Sequence, residues 1–539
     1  MAALVMIVVT TACTSDGRPD VDASGIPLEL GTAPAQGGTV IFGAAEQPVT
    51  LNAGHPEGDR AVNDLVYSAV LSPLWRVTPD LRYEPLLLDG EPEVGTDPFT
   101  VTYSLKPELQ WSDGEPLTAR DVVFTHDTIL EHDLDVPSRR GHALVRSTTL
   151  LGDHKVRFEF RRPFAGWRAM FSEPRAAILP RHVLAGRNFE QVWQERVTVS
   201  SGPFEVDTWQ RGQQLILKRN ESYWGTAAHL DEVIITFQAD SDARVESLRA
   251  GDIDVTTPMP DLDVRDRLAA IEGRTFAVAA GTRWEHIDLN TGAAPLNRAF
   301  VRTAIAKAID RDAIVAQLAT PIHDEISALN NVLLLPQQRN YADHWSAVIG
   351  YDPAAAEELL VRNGCERPAE VYVCEGVPLE LDYVTTADVG ARIEQFDLIR
   401  EDLAQIGVRL TPRLVVSDEA HAGPPREQWH LFSYARQGSP NVLDAASTWR
   451  CDAPPRDNPS RYCSRAAAGL LGVASRILDA EQRGRLWNEA DAVIARDVPT
   501  IPLYVQPEVL AWNAKIEGPA INVSAWGPLW NVGDWRLMQ

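Results

Sequence analysis

The chain is poor in the features that mark most enzymes and nucleic-acid-binding proteins. It has no G-x-S-x-G elbow, no H-E-x-x-H and no phosphate-binding P-loop. The common routes to a serine hydrolase, a zinc protease or a nucleotidase are therefore closed. Twelve histidines are scattered. His126 and His132 lie six apart, and His421 and His430 nine apart, so neither pair makes a helical metal site. Paired carboxylates occur by composition alone and indicate no chemistry. Basic residues are outnumbered, with 50 Lys and Arg against 75 Asp and Glu, for a formal net charge of −25. That balance excludes nucleic acid and anionic lipid surfaces as partners. The apolar run over residues 2–9 falls far short of the roughly 20 residues a spanning helix needs. Cysteine is scarce, with five residues, and none has metal-ligand spacing. No cofactor, no metal and no catalytic residue is expected.

What is present is an ordinary soluble composition, 45% hydrophobic and 23% charged. At 539 residues the chain exceeds the ~250–300 at which single cores stop growing, so two or three lobes are expected. The negative charge suits solubility outside a cell. With Cys13 set aside, four cysteines allow three connectivities. Local pairing, Cys365 with Cys374 and Cys451 with Cys463, closes two short polar loops, and it would imply an oxidising location.

Residues 200–225, SSGPFEVDTWQRGQQLILKRNESYWG, carry the most specific signal. Phe204, Val206 and Thr208 alternate as in a half-buried strand. Arg211 and Gly212 can turn the chain, and Leu215 and Leu217 share one face of a returning strand. Further along, residues 99–105 alternate, Asp113-Gly114 marks a turn, and Thr118 with Asp121 begins a helix through about residue 131, with Leu117 and Val122 as its staple. Residues 284–290 alternate as a strand. The run NRAFVRTAIAKAIDRDAIV is helical, with its basic residues expected on a solvated face. Asp352-Pro353 and Gly364 enclose another helix. Residues 379–384, 393–406 and 408–414 read strand, helix, strand. Two helices follow near 466–478 and 485–496, then strands at 499–505 and 510–512.

The string G-P-F…W…G…L…RN…YWG, with WSDGEPLTARDV, YDPAAAEELLVRNG and LAQIGVRL, resembles the family 5 extracellular solute-binding proteins, the peptide- and nickel-binding subunits of ABC importers. The resemblance runs over residues 39–515. It implies an α/β, periplasmic-binding-protein-like type II (cluster C) fold, with two ligand-binding lobes of mixed sheets plus an extra α/β lobe. Lobe I would comprise residues 39–72, 199–287 and 503–539, lobe II 73–198 and lobe III 288–502. A two-segment hinge would cross near 284–290 and 497–503. The start of the chain resembles the end of a lipoprotein signal, implying a signal segment over 1–12, lipidation of Cys13 and an anchored tether over 13–38.

The implied function is capture of an oligopeptide or dipeptide-like solute by a monomer outside the cytoplasmic membrane. The solute would pass to ABC permease and ATPase subunits, with membrane contact through the lipid anchor only. Receptors for a nickel chelate, an oligosaccharide or a signalling peptide are the alternatives within the family. An exported hydrolase is the alternative outside it. In peptide-binding relatives an aspartate after a lobe III strand takes the ligand ammonium. Here Ser439 stands at that place, with Asn441 and Asp444 beyond it and Arg436 before it. Arg436 could instead favour a carboxylate-bearing ligand. Trp284, Tyr434 and Trp449 are the aromatic candidates for the cleft, with Gln47 and His286 as polar partners.

Overall fold

Two long strands, Arg274–Leu289 and Thr500–Asn513, run antiparallel through the middle of the computed structural model. The described residues are 37–538 apart from 53, 59, 132–138, 417–428 and 455–456, and exclude the side chains of 56, 140, 190 and 444. Cys13, the signal segment and nearly all of the tether lie outside them. One flank of the central pair carries, in order, Val255–Thr256, Thr39–Ala44, Glu232–Phe237, Gln214–Arg219 and Phe204–Gln210. The other carries Leu431–Gln437, Glu380–Thr386 and Arg409–Val415. The result is one mixed sheet of ten strands. A separate antiparallel sheet joins Glu93–Thr96, Phe99–Ser104, Lys155–Phe160 and Val145–Leu150.

The sheet is shared by two large cores. One gathers apolar side chains between Val40 and Val255 together with Leu510, Leu529 and Trp535. The other gathers those between Trp284 and Val505, with Val77, Leu81, Val523 and Trp526. The second central strand passes from one core to the other, and the first joins the second core from Trp284 and lays Phe276 and Val278 on a smaller cluster with Val509 and Ala511. Their register shifts between Ala280 and Trp284 and again between Glu285 and His286, as β-bulges do. From sequence, the second of these strands is expected in two pieces, and the structure makes it continuous through Pro507. That proline sits opposite Ala280, beside the register shift, where a missing N–H costs little. The first strand likewise begins ten residues earlier than its clear alternation, at Arg274.

The hairpin expected at 204–217 is present, with Gly212 at φ +76° in its turn. Its leading Ser-Ser-Gly is locked to the end of helix Ala61–Val70: Ser200 Oγ donates to Val70 O at 2.5 Å, and Ser201 Oγ accepts from Ser72 N at 2.9 Å. A β-carbon on Gly202 would lie 2.4 Å from Ala69 O, so only glycine fits. The Trp-Ser-Asp-Gly turn joins the same knot, with Ser112 N donating to Ser200 O at 2.8 Å. Asp121 Oδ2 accepts from Thr118 N at 2.8 Å, as a capping box requires.

The helical run after residue 298 divides into Ala299–Ala308 and Arg311–Leu318, with Asp310 capping the second. Arg298 is exposed as expected, but Arg302 and Arg311 are not on a solvated face. Arg302 is buried and donates to the carbonyls of Leu296 and Val498, and Arg311 to those of Leu329 and Pro502. A five-donor guanidinium can satisfy several orphan carbonyls at once, which permits its burial. Both expected cysteine pairs form, with S–S distances of 2.02 and 2.05 Å.

A buried charge cluster pins Leu431–Gln437 to the first central strand. Arg436 donates to Asp288 Oδ2 at 2.7 Å, His286 Nε2 at 2.9 Å and Thr448 Oγ1 at 3.0 Å, and it lies over the Tyr434 and Trp449 rings. Tyr434 Oη also donates to Asp288 Oδ2, at 2.9 Å. Burial opposes the charged form of Asp288, but the Arg436 guanidinium and the His286 ring outweigh it and hold the carboxyl below its usual range. Removing one partner of such a pair strands the other. Arg436→Met should destabilise the protein by about 3–5 kcal/mol in urea denaturation, and adding Asp288→Asn should restore most of the loss.

Candidate ligand-binding site

A cavity of about 610 Å³ opens where the end of Thr39–Ala44, helix Ala61–Val70 and the turn at 173–175 face the far side of the molecule. The facing wall is the segment 437–440, Glu508 on the second central strand, and the C-terminal stretch 523–528. This volume falls within the ~300–1,000 Å³ of small-molecule clefts. The 437–440 wall is held by the same register shift that interrupts the central strands. Gly438 N donates to Thr282 O at 2.8 Å, and Gln437 Nε2 to Thr282 Oγ1 at 2.5 Å. Thr282 Oγ1 in turn donates to Val523 O at 2.8 Å. Gly438 is packed so that a β-carbon would come 2.8 Å from Thr282 O.

Four carboxylates and two guanidiniums line this cleft. Arg60 pairs with Glu46 at 3.0 Å near the solvent, and Arg175 with Asp64 at 2.9 Å deeper in. Burial, then the neighbouring Glu173, push the Asp64 carboxyl well above the usual range. Burial also pushes Glu508 up, to about 7, against the pull of Arg283 and a hydrogen bond from the Thr282 backbone. The negative excess on these walls suits a cationic group, and the apolar faces of Val62, Leu65 and Phe42 suit a hydrocarbon body.

Of the residues singled out from sequence, Ser439 lines this cleft. Its backbone carbonyl accepts from Gln338 Nε2 at 3.0 Å, and its hydroxyl accepts from Asn441 N at 3.1 Å. Asn441 caps helix Val442–Ser447 and lines a second cavity. Asp444 lies on that helix, and its side chain is outside the described residues. Trp284, His286, Tyr434, Arg436 and Trp449 do not line the cleft; the last four form the cluster above, with Tyr434 and Arg436 half-buried, and the Trp284 ring lies 4.7 Å from that of His286. Gln47 turns the other way, and its Oε1 accepts from Gly212 N at 2.8 Å. Sequence reading passed over Asp64, Glu173 and Glu508. Asp64 could have been noticed as a carboxylate interrupting an apolar helix, and Glu508 as one interrupting an apolar strand.

His126 finds a partner that its sequence spacing does not suggest. Its Nδ1 lies 2.9 Å from Nδ1 of His142, whose Nε2 faces Met170 O at 3.0 Å. Burial holds the two rings down at about 4 and 3. Among the described residues no three His, Cys, Asp or Glu side chains gather as a metal site would, and no helix is long and apolar enough to cross a membrane.

The model for bacterial extracellular solute-binding proteins, family 5 Middle, matches residues 82–451, more than half the chain. The oligopeptide-binding protein OppA of Mycobacterium tuberculosis (strain H37Rv) is 29% identical over 438 residues, covering 76% of this chain and 71% of that one. Among solved structures, the periplasmic EDTA-binding protein EppA superposes with a TM-score of 0.87 at 23% identity, covering 94% of this chain and 98% of its own. The oligopeptide-binding protein AppA from Bacillus subtilis, in complex with a nonapeptide, gives 0.75 at 21% identity, covering 94% and 100%. The architecture is thus that of the type II periplasmic binding proteins, as the sequence motifs imply. These relatives are binding proteins by name. The chain belongs to the family 5 bacterial extracellular solute-binding proteins.

Proposed function

We propose that this protein captures short peptides in the cleft between helix Ala61–Val70 and the 437–440 segment, and delivers them to an ABC permease. The cleft supports this reading because it offers an extended backbone wall beside carboxylates and apolar side chains. A peptide can add its main chain along such a wall while its side chains fill the apolar remainder. Its ammonium group, once desolvated, needs an anionic partner. Glu508, with Glu173 across the cleft, supplies that negative wall in place of the aspartate missing at Ser439.

The residues drawn together here come from both sides of the central strands. A ligand touching both walls stabilises the closed arrangement over an open one, which is closure by population shift. The hinge in this reading is where the two central strands cross between lobes, near 284–290 and 497–503, beside the register shift that follows Ala280. Lobes I, II and III, a monomeric state, and attachment through a lipid on Cys13 complete the proposal. The family's extracellular character and the two disulfides support an oxidising location outside the cytoplasmic membrane. The ATP would be spent by partner subunits.

Mass spectrometry of the ligand released from denatured purified protein should recover peptides. Recovery of sugars or metal chelates and never peptides would overturn the reading. Peptide affinity should also fall as pH drops from 8 to 6, because Glu508 with a raised pKa protonates across that window and its anionic form is the one that pairs with ammonium. Isothermal titration of Glu508→Gln should show affinity reduced about tenfold and a flatter pH profile.

A further inference from the structure

Strands Trp75–Val77 and Tyr83–Pro85 form a two-stranded hairpin that belongs to both cores. Its root lies in the first core, where Leu74, Trp75, Leu87 and Leu88 are buried. Its tip lies in the second, where Val77 is 1% exposed and Leu81 7%. The tip is strained. Leu81 stands at φ +59°, in the left-handed region where glycine is the usual occupant and a bulky residue is an outlier. The turn is built to hold it there. Leu81 N donates to Thr78 O at 2.9 Å, Thr78 N to Arg82 O at 2.9 Å, and Thr78 Oγ1 to Asp80 Oδ1 at 2.6 Å. A glycine would take this conformation freely, so the strain points to a use for the leucine side chain.

The second half answers from across the seam. Arg483 in helix Ala480–Asp497 donates to the carbonyls of Ile477 and Leu478, both at 2.9 Å, and so fixes the turn before that helix. That turn lays Leu478 against the first core. Arg483 also lies close to Tyr83, which packs against both cores. Just before the turn, Ser475 O accepts from Ala165 N at 2.9 Å. Each half thus sends a leucine to the core of the other, Leu81 one way and Leu478 the other. Resting on the reading that the halves move about 284–290 and 497–503, we propose that the Leu81 hairpin tip is a clasp. It seats in the second core when the halves close and leaves it when they open, and it biases the ligand-free molecule toward the closed arrangement. Opening brings Val77 and Leu81 into water, which the hydrophobic effect opposes. Relief of the left-handed turn works the other way, and so the clasp can reopen. The clasp lines no part of the ligand cleft, so it sets the starting populations on which a ligand then acts.

The test uses the full chain stripped of ligand. Neither readout involves a peptide, so failure of the peptide reading leaves it standing. In the first, Leu81→Cys and Leu87→Cys are alkylated with N-ethylmaleimide under native conditions and followed by mass spectrometry of the labelled segment. Leu87 lies at the root of the same hairpin, buried in the first core, so its variant reports unfolding and not opening. Leu81→Cys should react about tenfold faster than Leu87→Cys, or more. In the second, small-angle scattering compares the wild type with Leu81→Gly. Glycine removes the knob and keeps the turn, so the radius of gyration should rise. Leu87→Cys should stay as slow in the Leu81→Gly background, because the larger radius comes from opening and not from unfolding. Equal alkylation rates at the two positions, an unchanged radius in Leu81→Gly, or fast reaction of Leu87→Cys in that background would overturn the clasp. A ligand-free wild type with a radius above that of the closed structure, and with both thiols equally slow, would overturn the clasp and leave closure about the crossings standing.

Discussion

The antiparallel pairing of Arg274–Leu289 with Thr500–Asn513 is the constraint on which the remaining structure depends. The second strand meets the first core at Leu510 and the second core at Ile501, Leu503, Tyr504 and Val505, while the first strand enters the second core from Trp284 onward, so neither half has a private sheet edge at the join. A long unpaired edge is a hazard, and here the edges are closed by continuing the sheet across both halves. The interruption of register between Ala280 and Trp284 falls at the margin of the second core, where a bulge bends the ladder. The same bulge presents Thr282, and Thr282 fixes both the 437–440 wall and the C-terminal stretch at Val523. The cavity beside the 437–440 segment is therefore built on the point where the two halves meet.

The residues that identify the family lie elsewhere and do a different job. Ser200, Ser201 and Gly202 tie together helix Ala61–Val70, the Trp-Ser-Asp-Gly turn and the Phe204–Gln210 hairpin. Asn220 and Trp224 close the same knot by donating to the carbonyls of Gly202 and Ser201. These are backbone-satisfying contacts at buried chain reversals, which tolerate few residue types. The charges around the cavity are carried by other residues, Glu46, Asp64, Glu173 and Glu508 with Arg60 and Arg175.

This separation explains how much could be read in the sequence. Elements with local signals were legible: the alternation of Phe204, Val206 and Thr208, the Asp352-Pro353 start with Gly364 at its end, and the capping residues Thr118 and Asp121. The continuity of Thr500–Asn513 was not, because Pro507 is a breaker everywhere except beside a bulge, and the bulge belongs to the partner strand. The cleft was less legible still. Arg436, His286 and Tyr434 have the composition of a binding site, but they answer one another through Asp288 and do not line the cavity. In a strand buried on both faces, polarity does not tell which side meets ligand. The residues that do line the cleft, Asp64, Glu173 and Glu508 among them, are separated by hundreds of positions and are brought together only by the crossing strands.

The most direct measurement is a crystal structure of the protein with its ligand bound. Extended density along residues 437–440, contacting helix Ala61–Val70 on one side and Glu508 on the other, is the predicted result. A ligand seated away from the 437–440 segment, or touching only one side of the central strands, would contradict it.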